Sequence, residues 1–334
     1  GPTASVGVSF TPFEDRFDVI ARTTLVAEEC GFTSVGVAEA MSLAAPVVLA
    51  RLAERTHRIR LTSGVMSVWS RTPATLALTA ADLQRASDGR FILGLGAGTA
   101  PITEGFHGVQ WQAPLRKLED TLVAVRALLD GARLPQAPDG IRALRLGRPP
   151  TARVPIGLAA ITAPSIRLAG ALADSWLPFL LPPAGLDAGR EVMAEAAAAT
   201  GRADCASVTA CAPAALAGNR DEAARLAAQW LVTYATRMGP LYPKVLCAHG
   251  YRSEVTALLE ANSDPRAARL PAAAERLAQD VLLYGTYDEA PDLCAAWLEH
   301  ADELSVVAPF SVPGDQIAET IEAITLSRLA GAAT

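Results

Sequence analysis

Short apolar stretches alternate with segments of helical periodicity along this chain. The stretch Ser5–Phe10 reads SVGVSF, and after it Phe17, Ile20, Thr24 and Leu25 repeat at intervals of three and four, as in an amphipathic helix. The same succession recurs toward the C-terminus. Eight strands are predicted, at Ser5–Phe10, Thr33–Ala38, Ile59–Ser67, Phe91–Leu95, Val154–Ala159, Ser175–Leu181, Ala206–Ala212 and Leu304–Ala308.

This alternation predicts an α/β fold, a (β/α)₈ TIM barrel with helical insertions. We interpret the strands as apolar without alternation, which indicates a sheet covered on both faces, and right-handed crossovers then close it into a barrel. An open doubly wound sheet is the structural alternative. No break in composition marks a linker, so residues 1–334 are predicted to form a single domain. Since a bare barrel needs about 250 residues, the surplus is assigned to insertions near 100–113, 132–153 and 239–285.

Composition and charge narrow the range of partners. The net charge is −6, from 29 basic and 35 acidic residues, and aromatic residues are only 5%. A nucleic-acid partner is therefore not expected, because a phosphate backbone requires a basic surface. The five cysteines form no C-x-x-C pair, and no apolar run reaches the length of a membrane span. We predict a cytoplasmic protein with reduced thiols and no membrane association.

In a barrel, the working residues lie where strands end and loops begin on the carboxyl-terminal face. Gly64 interrupts the third predicted strand, and a glycine inside a strand marks a bulge or the close approach of a ligand. Ser63 and Ser67 would present hydroxyl groups beside a flat ring. The alternative is an ordinary barrel strand followed by a helix that opens at Pro73.

Two further strand ends are candidates for ligand binding. The run Gly94-Leu95-Gly96-Ala97-Gly98-Thr99 ends the fourth strand, and 100–112 after it is predicted to be loop. A dinucleotide-binding motif would open a helix directly, so the run indicates instead amides close to an anion or a ring carbonyl. After the fifth strand, Thr162 is predicted to cap a helix whose exposed amides suit a phosphate. An ordinary capped helix explains Thr162 equally well.

Acid–base candidates are few. Glu39 ends the second strand and is interpreted as a general base, a hydrogen-bond partner for a ring nitrogen, or a solvated carboxylate. Among the four histidines only His107, in the loop after the fourth strand with Glu104 nearby, is placed near a pocket. A structural role for His107 in packing that loop is the favoured alternative. No metal site is expected, because no H-x-E, H-E-x-x-H or clustered His/Asp pattern occurs.

The middle of the chain resembles the luciferase-like monooxygenase superfamily, which includes bacterial luciferases and coenzyme F420-dependent oxidoreductases. The resemblance is carried by Arg71-Thr72-Pro73-Ala74, by the run 87–98 and by Pro114, Arg116 and Glu119. Weaker similarity extends over nearly the whole chain. The resemblance implies a (β/α)₈ barrel, a homodimer, and a deazaflavin or flavin bound in the mouth formed by the strand ends.

The resemblance also gives individual residues roles in binding coenzyme F420. Gly64 and Val65 match a bulge that supports the deazaflavin ring, with Ser67 beside it. The fourth-strand loop would lie against the cofactor, and the fifth-strand loop would approach its phosphate-bearing side chain. The predicted cofactor-binding set is Ser63, Gly64, Val65, Ser67, Trp69, Gly96, Ala97, Gly98, Thr99, Ala160, Thr162 and Ala163.

One departure from the family pattern bears on the substrate. Many F420-dependent dehydrogenases and reductases carry an acidic residue followed by histidine at the end of the second strand, where this chain has Glu39-Ala40. The glutamate of some sugar-phosphate dehydrogenases is replaced by Thr99. A different substrate is therefore expected, small and hydrophobic, and we place the enzyme in secondary metabolism.

Three hypotheses follow for the function. The first is an F420-dependent oxidoreductase that transfers hydride between the deazaflavin and a small organic substrate, with Glu39 or His107 assisting proton transfer. The second is an FMN-dependent monooxygenase that uses O₂ and reduced flavin from a separate reductase. The third is a homologue that binds a flavin or deazaflavin without redox chemistry.

Overall fold

The computed structural model describes residues 4–325, and at its centre is a closed parallel barrel. Eight parallel strands follow one another around the barrel. The last of them, Glu303–Val307, pairs with both Ser207–Ala217 and Val6–Phe10, which closes the barrel. The strands are β1 (Val6–Phe10), β2 (Ser34–Val37), β3 (Arg60–Ser63), β4 (Met66–Ser67), β5 (Phe91–Gly96), β6 (Ile156–Leu158), β7 (Ser175–Trp176), β8 (Ser207–Ala217), β9 (Leu283–Thr286) and β10 (Glu303–Val307).

Helices surround the barrel and follow most of its strands. The α-helices are α1 (Phe17–Glu29), α2 (Ala45–Ala53), α3 (Pro73–Ala86), α4 (Ala100–Gly105), α5 (Pro114–Leu129), α6 (Ala163–Leu172), α7 (Pro183–Ala199), α8 (Arg220–Thr236), α9 (Leu241–Leu246), α10 (Arg252–Ala261), α11 (Glu275–Val281), α12 (Ala290–Leu298) and α13 (Gly314–Ala323). A π-helical turn spans Cys247–Tyr251, and 3₁₀ turns span Pro265–Ala267, Ala272–Ala274 and Tyr287–Glu289. None of the helices within residues 4–325 combines the length and the apolar character needed to cross a membrane.

The predicted (β/α)₈ barrel is confirmed, and each of its eight strands lies where the sequence pattern put it. Three details differ. The third strand breaks at Gly64-Val65 into β3 and β4, 100–112 contains the short helix α4, and the seventh predicted strand continues past Ala212 to Ala217 in β8. An unpredicted strand, β9, pairs in parallel with Ala214–Ala217. Because β8 continues beyond the barrel rim, it offers a free edge that β9 completes.

The prediction that the strands are apolar without alternation is wrong. In β1, Val6 and Val8 are fully buried in the apolar core, whereas Ser9 lines the barrel interior. The inner positions of neighbouring strands are likewise small or hydroxyl-bearing, as at Gly36 and Thr62. Successive side chains of a strand point to opposite faces, and most of the large apolar residues fill the layer beneath the helices, while Ile92 also lines the interior. The interior of this barrel is left open, unlike a barrel filled by branched side chains.

A second apolar cluster lies beneath the insertion at 239–285. It includes Trp230 of α8, Leu258 of α10 and Leu277 of α11, each almost completely buried. This cluster fixes α10 and α11 against β8 and β9. The segment 132–153 contains no helix or strand, and its backbone turns back on itself through a 3.0 Å hydrogen bond from Leu134 to Leu144.

Glu28 of α1 holds the loop that leads into β3. Its carboxylate accepts hydrogen bonds from the backbone N–H groups of His57 (2.9 Å), Arg58 (2.7 Å) and Ile59 (2.9 Å). Burial by itself raises the pKa of the Glu28 carboxyl, but these three N–H donors outweigh it and hold that pKa below its ordinary value.

Replacing Glu28 by alanine is expected to reduce the free energy of unfolding by about 3 kcal/mol, because the buried amide of Ile59 and the partly buried amides of His57 and Arg58 lose a charged acceptor. The stabilisation is present above the ordinary glutamate pKa and is lost as the pH falls through the lowered native pKa. Urea unfolding at pH 7 and pH 3 measures both effects. Glu29→Ala, on the exposed side of the same helix, is the matched control, and equal losses in the two variants would contradict the assignment.

Candidate active site

The open interior of the barrel forms a cavity of about 340 Å³. It extends from Arg60 and Glu303 at the amino ends of the strands to Glu39, Gly64 and Val65 at the carboxyl ends. Its volume lies within the range of small-molecule pockets. The cavity therefore reaches the face where barrels carry their chemistry.

The break between β3 and β4 borders this cavity. Gly64 and Val65 are joined by a cis peptide bond, and the N–H of Gly64 donates to the carbonyl of Val37 (2.8 Å). Within residues 4–325, neither the carbonyl of Gly64 nor the N–H of Val65 makes a backbone or side-chain hydrogen bond. This peptide thus presents one donor and one acceptor beside the cavity, as a planar heterocycle with polar edges requires.

Glu39 is at the rim of the cavity and is held by two elements. Its carboxylate receives two hydrogen bonds from Arg71, at 2.6 and 3.0 Å, and one from the N–H of Ala45 at the start of α2, at 2.8 Å. The side chains of Glu39 and Arg71 are 10% and 21% exposed. A carboxylate bound on both oxygens has little freedom to act as a base, so the geometry favours Glu39 as a fixed charge that orients the rim.

The glycines that end β5 allow it to pack closely against β3 and β4. A Cβ on Gly94 would overlap the carbonyl oxygen of Ser63, and one on Gly96 would lie 2.8 Å from Cγ2 of Val65. Gly98 has a φ of +68° and lies against the hydroxyl of Ser67. Chain packing therefore accounts for all three glycines, and they are not by themselves evidence of a ligand.

Trp69 and its neighbours form a second group, which does not line the cavity. Its indole Nε1 donates to the carbonyl of Ala97 (2.8 Å), and its backbone N–H donates to the hydroxyl of Ser67 (3.2 Å). The ring centroid of Trp111 lies 5.5 Å from that of Trp69, and the Lys117 ammonium lies 5.5 Å above the Trp69 ring. The indole thus fixes the loop after β5, and Thr99 at the end of that loop directly precedes α4.

The predicted residues after the fifth strand lie at the start of α6. Thr162 immediately precedes the helix, and its hydroxyl lies 2.7 Å from that of Ser165, in the first turn. Thr162 and Ala163 are exposed. Ala160 is buried, and its carbonyl accepts a hydrogen bond from the indole of Trp176 (2.8 Å). The capped helix is confirmed, and a role in binding phosphate stays a prediction.

The structure brings only part of the predicted set to one place. Glu39, Gly64 and Val65 line the cavity, whereas Ser63 is buried and its hydroxyl bonds only to the backbone of Gly94. His107 is half-buried after α4, packs against the ring of Phe106 at 5.1 Å and does not line the cavity. No group of three or more His, Cys, Asp or Glu side chains in the described chain could hold a metal ion.

Several cavity residues were missed by the sequence analysis. Phe179 after β7, Tyr234 of α8, Met238 just after α8 and Tyr242 of the insertion form one wall. Nothing in their local sequence distinguishes them from core residues of helices, so only the packing of the insertion reveals them. Arg71 belongs to the quoted family pattern, but its pairing with Glu39 depends on two separate strand ends.

Removing the guanidinium of Arg71 is expected to destabilise the protein. Arg71→Met leaves the Glu39 carboxylate partly buried without its counter-charge, which costs about 3 kcal/mol. The double variant Glu39→Gln/Arg71→Met should recover a substantial part of this loss, since no unpaired charge remains. Urea unfolding measures the free energy of unfolding of each variant, with Arg225→Met on the exposed face of α8 as control. Strictly additive losses would show that the pair contributes nothing.

The fold and the cavity together define a barrel enzyme with its site at the strand ends, and comparison with known proteins gives the family. The family model described as luciferase-like monooxygenase matches residues 3–307. A Mycobacterium tuberculosis protein provisionally named a coenzyme F420-dependent oxidoreductase is 30% identical over 302 residues, which are 83% of this chain and 86% of that protein.

Two further matches each cover most of the chain. A phthiodiolone/phenolphthiodiolone dimycocerosates ketoreductase of Mycobacterium bovis is 30% identical over 293 residues, 80% of this chain and 74% of that one. The structure of the coenzyme F420-dependent tetrahydromethanopterin reductase from Methanopyrus kandleri superposes with a TM-score of 0.76, at 18% identity, over 97% of this chain and 99% of that chain. The chain belongs to the luciferase-like monooxygenase family and is an enzyme of the oxidoreductase and monooxygenase class.

Proposed function

We propose that this protein is an F420-dependent oxidoreductase that acts on a small, hydrophobic organic substrate. One observation carries the proposal: the unbonded peptide of Gly64 and Val65 borders a cavity at the carboxyl ends of the strands. The names of the M. tuberculosis and M. kandleri proteins support a deazaflavin as the cofactor. The hydrophobic substrate is supported by the cavity wall of Phe179 and Met238.

The cavity fits the ring of such a cofactor. Gly64 has no side chain, and a Cβ there would meet no atom nearer than 3.9 Å, so a flat ring can approach the backbone closely. The peptide of Gly64 and Val65 offers hydrogen bonds to the polar edge of the ring. When bound, the reduced deazaflavin supplies hydride chemistry.

The chain itself contributes orientation and exclusion of water. The carboxylate of Glu39, fixed by Arg71 and by the N–H of Ala45, places a negative charge at the rim. The apolar wall around Phe179 shields the reacting atoms from solvent, which strengthens polar interactions inside the cavity.

Titration of the purified protein with F420 and with FMN, each oxidised and reduced, tests the cofactor. We expect saturable binding of F420, followed through its absorbance and fluorescence, and much weaker binding of FMN. Micromolar affinity for FMN with none for F420 would overturn the proposal and favour the flavin-dependent monooxygenase. Tight binding of F420 without turnover over a panel of carbonyl and unsaturated compounds would favour a protein that binds the cofactor without redox chemistry.

A further inference from the structure

The five tyrosines of the chain divide into two groups by their hydroxyl partners. Three hydroxyls donate to carboxylates: Tyr251 to Asp280 (2.7 Å), Tyr284 to Glu275 (2.9 Å) and Tyr287 to Glu319 (3.5 Å). Tyr234 and Tyr242 line the cavity, and neither hydroxyl makes a hydrogen bond with another residue in the described chain. Tyr234 is only 5% exposed. Tyr242 is half-buried, and since both residues line the cavity, their unpartnered hydroxyls are free to donate to a ligand held there.

The two unpartnered tyrosines belong to one aromatic wall. The ring centroids of Tyr234 and Tyr242 are 5.2 Å apart and nearly perpendicular, and the Phe179 ring lies 4.8 Å from Tyr234 and 5.9 Å from Tyr242. Met238 lies on the same side of the cavity. A ligand bound here therefore meets apolar surface with two hydroxyl groups as its polar contacts.

The two phenols and the nearby thiol of Cys211 remain uncharged at neutral pH. Burial raises the pKa of Tyr234 above its ordinary value and that of Tyr242 to about 12. Burial likewise raises the pKa of the Cys211 thiol, which lines the same part of the cavity, to about 12. Both phenols are therefore neutral donors, and the thiol is not an activated nucleophile.

We propose that the hydroxyls of Tyr234 and Tyr242 bind the oxygen of an apolar carbonyl compound. Two hydroxyl donors in an apolar wall match a carbonyl oxygen, which accepts two hydrogen bonds, and they leave no charge unpaired. The proposal rests on the proposed function, since it assigns the substrate class of the same site. Tyr242 comes from the insertion at 239–285, which thereby sets the specificity.

The two hydroxyls also stabilise the charge that develops in the reaction. A reduced deazaflavin held beside Gly64 and Val65 would supply a hydride to the carbonyl carbon and would itself be oxidised. The electron pair of the C–O π bond would move to the oxygen, which would then take up a proton from water. Hydrogen bonds donated to that oxygen strengthen as its negative charge grows. Tyr234 and Tyr242 are therefore assigned to binding the substrate and to the chemical step.

Binding of two probes of nearly equal shape tests the proposal without cofactor or turnover. Acetophenone carries a carbonyl oxygen that ethylbenzene lacks, and ligand-observed NMR titrations give the affinity of each. We expect the wild-type protein to prefer acetophenone by about tenfold or more, and Tyr234→Phe and Tyr242→Phe each to reduce this preference about threefold to tenfold. Ethylbenzene binding should change little, because the apolar wall is retained.

Tyr287→Phe is the matched control, since it removes a hydroxyl bonded to Glu319 outside the cavity. Thermal unfolding establishes that each variant folds. An unchanged preference for acetophenone in both cavity variants, or no preference in the wild-type protein, would overturn the proposal. F420 titration of the same variants separates the two claims: wild-type protein that fails to bind F420 contradicts the proposed function, whereas the comparison of probes tests the tyrosines independently.

Discussion

Replacing Gly64 by leucine is expected to abolish deazaflavin binding while leaving the barrel folded. A Cβ at Gly64 would lie 3.9 Å from Cα of Gly36 and 4.0 Å from the backbone nitrogen of Val37, which are ordinary contacts. The rest of the leucine side chain then projects into the cavity beside the unbonded peptide, where the ring is proposed to lie. We expect at least a ~100-fold loss of affinity for F420, equivalent to about 2.7 kcal/mol.

The measurement is a fluorescence titration with F420, accompanied by thermal unfolding to establish that the variant is folded. Gly147→Leu is the matched control, because Gly147 lies in the exposed 132–153 segment and a Cβ there would meet no atom within 4 Å. Folded Gly64→Leu protein that binds F420 like the wild type would place the cofactor elsewhere. A loss in Gly147→Leu as well would show a general effect of leucine on the protein.

Replacing Glu303 by alanine is expected to reduce the free energy of unfolding by about 3–5 kcal/mol. The Glu303 carboxylate closes the amino-terminal end of the barrel, 11% exposed, and pairs with Arg60 at 2.6 Å. It also accepts three hydroxyl hydrogen bonds, from Ser5 (2.9 Å), Thr33 (2.8 Å) and Ser34 (2.9 Å). Alanine removes the one acceptor that these hydroxyls share and leaves Arg60 without its counter-charge at the barrel floor.

Urea unfolding at pH 7 measures this loss, and Glu299→Ala on the protein surface is the control, expected to change stability by less than about 0.5 kcal/mol. Glu303→Gln keeps the acceptor oxygen but removes the charge, so it should lose less than Glu303→Ala. Equal stability of Glu303→Ala and Glu299→Ala would show that the cluster does not hold the barrel floor.

The positions of Glu39 and Gly64 in the site could be predicted because each follows directly from where a strand ends. Strand ends are a local property, set by the change from extended to helical periodicity. The pairing of Glu39 with Arg71 could not be predicted, since the two residues meet only after the crossover from β2 through α2 to β3 has formed. The same holds for Tyr234 and Tyr242, whose sequence surroundings are those of helix residues packed in a core.

The glycines after the fourth predicted strand have a structural explanation that the sequence did not reveal. As a motif, Gly94, Gly96 and Gly98 indicated a ligand close to the backbone. In the folded chain they accommodate Ser63, Val65 and Ser67 of the neighbouring strands. A glycine indicates that another group approaches the backbone closely, but only the structure shows whether that group belongs to a ligand or to the protein itself.

The sequence by itself determined the order of strands and helices, and with it the barrel, because hydrophobic periodicity and the right-handed crossover are rules of local geometry. Only the tertiary structure decided what the barrel encloses. Whether Ser9, Thr62 and Thr209 face helices or the interior depends on the register of strands far apart in the chain. Small and hydroxyl-bearing residues meet on the inner face, and the insertion adds Tyr242 above them, so the cavity and its two unpartnered phenols exist only in the assembled fold.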